Sequence, residues 1–248
     1  MEMKSVKKLV AILGLVLICS GLSTETKTIT IGVYNWEPLV SVTQKNHGVL
    51  TKIIVSVLKK MGYTVVIKNY PFARIISCLE NGEIDISPAI SKNVERNKVI
   101  DFSSSIYDLE QGVVFKKGRI HFRTFIDLRS YKGGIMRGTF WARELKAAGI
   151  SYEEVTEQEQ NIEKLAANRV DFVCMPKEVA FNIINKLGKD QTKYDFRLLR
   201  LEEQPAGISK KTKFMTLRGD FEKGLNIIKR NGTYDKIILK YKKMHHFH

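Results

Sequence analysis

The sequence predicts an α/β fold arranged as two lobes, each a mixed sheet flanked by helices. Two observations carry this reading. Strand-like and helix-like segments alternate from residue 28 onward, and alternation of that kind builds parallel strands joined by crossover helices. The alternation also falls into two runs of similar length followed by a returning tail, as expected for two units joined by two crossings, near residues 115–118 and 202–207. With 248 residues and 44% hydrophobic content, the chain can give each unit its own core.

Residues 1–23 are expected to be a secretory signal. Lys4, Lys7 and Lys8 precede an apolar run from Leu9 to Cys19, and Gly21 and Ser23 supply a small-residue exit with cleavage near Ser23. The run is too short for a comfortable membrane span. An uncleaved anchor is one alternative. Lipidation at Cys19 is another, but Ile18 stands where a small residue is wanted. Lobe 1 is assigned to 24–115 plus 206–243, lobe 2 to 116–205, and 244–248 to a tail.

In lobe 1, residues 28–33 read as a strand. Val49, Leu50, Ile53, Ile54, Val57, Leu58 and Met61 then recur at helical spacing and stop at Gly62. Residues 63–68 are β-branched and strand-like, 72–79 helical, and 84–86 and 111–115 short strands. Lobe 2 opens with a short helix at 125–128, then a strand at 133–136 and a helix at 140–148 ended by Gly149. Next come a strand at 152–155, a helix at 159–167, a strand at 170–174 and a helix at 178–187 ended by Gly188. A strand at 206–209 returns the chain, and helices at 220–230 and 234–241 flank Asn231-Gly232, a helix-stop signal.

The formal net charge is +15. A basic surface suits nucleic acid, anionic lipid or an acidic ligand. Along the sequence, however, Lys and Arg are spread without a basic block or a nucleic-acid motif, so no nucleic-acid partner is expected. Cys78 and Cys174 are expected as two buried thiols in different lobes rather than a disulfide. The tail's His245, His246 and His248 lack partner ligands at useful spacing, so neither a metal nor a cofactor is expected.

A set of short motifs runs through both halves. They include Trp36-Glu37-Pro38, Pro71-Phe72-Ala73-Arg74, Asn81-Gly82-Glu83-Ile84-Asp85, Ser91-Lys92-Asn93-Val94-Glu95-Arg96, Asp101-Phe102-Ser103-Ser104, Gly138-Thr139, Asn168-Arg169-Val170-Asp171 and Asn231-Gly232-Thr233-Tyr234. In this order and spacing the chain resembles the family 3 bacterial solute-binding proteins, typified by polar amino-acid receptors of ABC importers. The resemblance implies a type II periplasmic-binding-protein fold, a Venus-flytrap that closes on a small ligand. It also implies a periplasmic location, a monomer, and a membrane permease of an ABC transporter as partner.

The resemblance further implies that Arg96 pairs with a ligand carboxylate, and a planar guanidinium fork suits both carboxylate oxygens. Ser91 and Ile90 lie where the family places hydroxyl and backbone donors; Ser91 equally suits the cap of a short helix. Gly138 and Thr139 open a helix whose free N–H groups suit an anion. Trp36 and Phe72 fall at aromatic walls, with Tyr34 and Tyr70 as secondary candidates. Glu37 is a candidate for a ligand cation. The sequence departs from the amino-acid binders at Pro176, where they carry an acid for the α-ammonium. Glu178 is the candidate substitute. Leu50-Thr51-Lys52 departs as well, where many relatives are acidic.

No nucleophile elbow, phosphate loop or metal-ligand pair fits its context, so no catalytic residue is expected. Two other readings stay open. One is a ligand-sensing module acting on a membrane receptor. The other is a cyclohexadienyl-dehydratase-like enzyme on the same scaffold, with Glu178 or Glu37 as its acid.

Overall fold

The computed structural model describes residues 27–244. The expected signal segment, Cys19 and the terminal histidines lie outside them. Eight strands form one mixed sheet in the order β2-β1-β3-β8-β4-β7-β5-β6. β1 (Thr28–Val33) pairs in parallel with β2 (Thr64–Asn69) and β3 (Ile86–Ser87). β5 (Gly133–Met136) pairs in parallel with β6 (Tyr152–Val155) and β7 (Phe172–Pro176). Two long antiparallel strands, β4 (Ile100–Lys116) and β8 (Tyr194–Ser209), run through both sets and pair with each other from end to end. β3 adds to β8, and β7 adds to β4 over Gln111–Phe115.

Crossover helices follow the apolar periodicity. α1 (Val49–Lys60) buries Val49, Leu50, Ile53, Ile54, Val57 and Leu58 on one stripe, each such side chain contributing about 1.5–3 kcal/mol. Gly48 enters that helix at φ 83°, and a Cβ there would stand 2.4 Å from the Leu39 carbonyl oxygen, so only glycine fits. α2 (Phe72–Asn81) ends on left-handed Gly82. α3 (Val94–Val99) is short. A 3₁₀ turn (Phe125–Ser130) is closed by a Thr124–Asp127 capping box. The remaining helices are α4 (Trp141–Ala148), α5 (Gln158–Ala166), α6 (Lys177–Lys186), α7 (Leu217–Arg230) and α8 (Thr233–Met244). Cys78 and Cys174 are both buried and unpaired, on α2 and β7.

The predicted elements appear within a few residues of their expected places, with one substantial difference. The expected short strands at 111–115 and 206–209 are the ends of β4 and β8. Residues 100–110 and 194–205 complete them. Three serines and Pro205 make that stretch look like loop, and the pairing does slip register between Phe102 and Ser105 and between Ser105 and Tyr107. The serine hydroxyls fill the broken ladder. Ser103 Oγ accepts from Ala206 N–H (2.9 Å), and Ser105 Oγ accepts from Gln204 N–H (3.2 Å).

Two motif aspartates tie strands together in equivalent ways. Asp85, just before β3, accepts from Thr30 N–H of β1 (2.8 Å) and from the Thr212 hydroxyl (2.6 Å). Asp171, just before β7, accepts from Lys132 N–H beside β5 (2.9 Å). In each strand set the same residue type holds the central strand to its neighbour. Asp85→Ala is expected to destabilise the fold by about 1.5–3 kcal/mol, because hydrogen bonds to a charged acceptor are lost and a strand N–H is orphaned. Urea unfolding measures this, and an unchanged midpoint would refute the role.

Candidate functional site

Strand direction places the site. β1, β2 and β3 run with β4, whereas β5, β6 and β7 run against it. The carboxyl ends of the two parallel sets therefore point at each other. Along β4 they are separated by the stretch between Phe102, level with β3, and Gln111, level with Pro176. Crevices beyond the carboxyl ends of parallel strands are the usual binding places of open α/β sheets.

On the β1–β3 side, the loops after β1 and β3 and the start of α2 meet around Arg96. Asn93 caps α3, its Oδ1 accepting Arg96 N–H at 2.8 Å. The guanidinium Nη1 donates to the Ser91 carbonyl at 2.8 Å. No carboxylate pairs with Arg96 among the described residues. This leaves most of its five donors for an incoming anion. Tyr34 stands close by. Burial raises its phenol pKa and the Arg96 charge pulls it partly back. Its hydroxyl donates to the Ala89 carbonyl at 3.1 Å, and Ala89 holds a positive φ of 53° in the same loop. The Phe72 ring lies 4.7 Å from the Tyr34 ring and remains 44% exposed. An aromatic face so uncovered at a strand-end crevice suits a wall for a small molecule. Trp36, in a tight turn bridged to Val40, is half-buried against the core, and Tyr70 carries Arg74 over its ring at 5.5 Å.

Two expectations on this side are corrected. Ile90 is fully buried and its N–H already donates to the Pro205 carbonyl (3.3 Å), so it is not left as a donor. The α3 cap is Asn93 and not Ser91, whose side chain is exposed.

The opposite side presents the loop after β5. Gly138 takes φ 79° with open space around it, where a side chain would strain the turn. The Thr139 hydroxyl donates to the Met136 carbonyl (2.7 Å) instead of capping α4, which starts at Trp141. Two residues not singled out in the sequence lie at this level. Arg200, opposite Gln111 in the ladder, stacks 3.6 Å over the Phe140 ring and pairs with Glu144 at 2.8 Å. The Gln111 amide donates to Glu202 (2.6 Å), while its buried Oε1 has no partner among the described residues. Only the strand register, unreadable in advance, brings these residues to the crevice edge.

Glu178 does not join Arg96. It is 5% exposed at the start of α6 and accepts from the Tyr107 hydroxyl of β4 at 2.5 Å. Burial raises its pKa, with the Tyr107 hydrogen bond opposing. It is committed to the connecting strand rather than to a ligand ammonium. Glu37 is held differently. Burial would raise it, but the Lys186 ammonium and the Thr43 and Ser41 hydroxyls outweigh that and keep it near a pKa of about 2. A carboxyl so firmly ionised is poorly suited to donate a proton. The Glu37–Lys186 pair also joins the loop after β1 to the end of α6.

Residues 29–244 match the bacterial extracellular solute-binding proteins, family 3. The chain belongs to this family. Among its relatives is a probable histidine-binding protein of Campylobacter jejuni, 28% identical over 94% of this chain and 96% of that one. Another is an L-arginine-binding protein of Pseudomonas aeruginosa, 26% identical over 68% of this chain and 69% of that one. Among solved structures, an ancestral arginine-binding protein bound to glutamine superposes with a TM-score of 0.65 at 26% identity, over 86% of this chain and 97% of that one. Substrate binding domain 2 of GlnP from Lactococcus lactis, in an open conformation, shares the fold at a TM-score of 0.71 and 20% identity, over 88% and 96% of the two chains. The relatives' names describe binding proteins, and the chain's family role is that of a solute-binding receptor.

Proposed function

We propose that this receptor captures an amino acid or a related small carboxylate outside the cytoplasm and passes it, unchanged and as a monomer, to an ABC-type importer. The observation that supports this most is Arg96. Its guanidinium donates to the Ser91 carbonyl while Asn93 holds its backbone N–H, no described carboxylate pairs with it, and its charge reaches Tyr34, whose ring meets the exposed Phe72 ring. The two lobes, one built on β1–β3 and the other on β5–β7, close about β4 and β8. Closure brings Gly138 and Thr139 to the ligand. The slipped, serine-patched stretch of β4 and β8 is the natural place for that bend. Relatives named for histidine and arginine favour an amino-acid ligand. Pro176 and the commitment of Glu178 to Tyr107 favour a different hold on its ammonium.

A melting-temperature screen of amino acids, other carboxylates and the corresponding amines tests the proposal. Stabilisation by carboxylates, and not by their amine counterparts, is the expected result. Stabilisation by amines alone, or by nothing in these classes, would overturn it.

A further inference from the structure

The fold collects positive charge that the sequence disperses. Three helices, α1, α7 and α8, pack on one another. α1 carries Lys52, Lys59 and Lys60, and α7 carries Arg218, Lys223, Lys229 and Arg230. α8 adds Lys236, Lys240, Lys242 and Lys243. All eleven are exposed, and none forms an ion pair among the described residues. Only three acids share these helices, Asp220, Glu222 and Asp235. Two of them are turned to internal partners: Asp220 accepts from Tyr63 and Glu222 accepts from Ser104. More than half of the chain's net +15 therefore sits on this one group of helices.

Two further observations narrow the partner. Exposed apolar side chains stand among the cations, with Ile227 on α7 and Leu239 and Met244 on α8 at 38%, 55% and 54% exposure. The chain also enters the fold here. Lys27 accepts from Thr64 N–H, next to Tyr63, which bonds Asp220 of α7. In the two alternatives that keep this segment, an uncleaved anchor or lipidation at Cys19, the membrane-bound end lies eight residues before Lys27, a reach of at most about 28 Å.

We propose that the exposed face of α1, α7 and α8 docks on an anionic lipid bilayer. Lysines attract the surface charge within a Debye length of about 10 Å, and the interspersed apolar side chains enter the interface. A purely acidic protein partner would call for the cations but not for the exposed Ile227, Leu239 and Met244.

Flotation of the chain from residue 24 onward, as expected after signal cleavage, with phosphatidylcholine vesicles, with and without about 30% phosphatidylglycerol, tests it. Binding should require the anionic lipid and weaken as salt rises. The combined variant Lys52→Glu, Lys223→Glu, Lys236→Glu and Lys240→Glu should lower it more than about tenfold. A control of equal charge change, Lys117→Glu, Arg119→Glu, Arg143→Glu and Lys146→Glu, should stay within about threefold of the parent. Far-ultraviolet circular dichroism and the urea midpoint, read on both variants, report that each is folded. Equal binding to neutral vesicles, no binding to either vesicle, or equal losses in the two variants would overturn the proposal.

Discussion

Arg96→Ala is expected to weaken ligand binding by about 2–5 kcal/mol, roughly thirty-fold to several-thousand-fold in Kd. The size follows from what is removed. Asn93 fixes the Arg96 backbone through its N–H, and the guanidinium Nη1 donates to the Ser91 carbonyl, so a carboxylate meets a donor set that is already ordered. Deleting it leaves the carboxylate desolvated and unpaired in the closed crevice. Arg96→Lys should recover only part of the loss, since an ammonium supplies a point charge without the planar fork. Asn93→Ala is a useful companion, because it loosens the α3 cap without touching the charge. Calorimetric titration of each variant reads the effect, and unchanged affinity in Arg96→Ala would remove Arg96 from the site.

The second large effect is expected at the connection between the strand sets. Tyr107→Phe removes the hydroxyl that donates to the buried Glu178 carboxyl, whose Oε2 already lacks a hydrogen-bond partner among the described residues. The loss should be about 1.5–3 kcal/mol of stability near neutral pH. Its pH dependence has a definite sign. Burial raises the folded-state pKa of Glu178 above the ordinary value of 4.5. The native state therefore holds a proton that the unfolded chain has released, and this contribution falls as pH rises from that ordinary value through the raised one. The Tyr107 hydroxyl favours the carboxylate and limits the rise. Without it the pKa climbs further, so the penalty of Tyr107→Phe grows with pH and shrinks below the ordinary glutamate value. Urea unfolding at several pH values measures this, with Glu178→Gln as the variant whose slope is lost. Equal losses for Tyr107→Phe at acidic and alkaline pH would contradict the account.

How much of this was legible in the sequence differs by feature. The crossover helices were readable because their apolar residues recur at one spacing, as in the Val49–Leu58 stripe of α1. β4 and β8 were read only at their ends. Ser103, Ser104, Ser105 and Pro205 look like loop residues, and nothing local reveals that serine hydroxyls will satisfy the strand N–H groups where register slips. Arg96 was legible through its flanking motif. Asn93, three residues before it, carried an N-cap signal that would have corrected the Ser91 alternative. Ile90 and Glu178 were unreadable for another reason: their roles depend on Pro205 and Tyr107, residues distant in sequence that the sheet brings alongside. The charge followed the same logic. Lysines scattered over two distant segments look dispersed until α1 packs on α7 and α8.

The proposed receptor role rests on a ligand carboxylate seated on Arg96. It is tested most directly by calorimetric titration of the best-binding amino acid against its carboxamide analogue, in the parent and in Arg96→Ala. The carboxamide is expected to bind the parent at least about tenfold more weakly, and the two ligands to become nearly equal in Arg96→Ala. Equal affinities in the parent, or a difference that survives in Arg96→Ala, would contradict it.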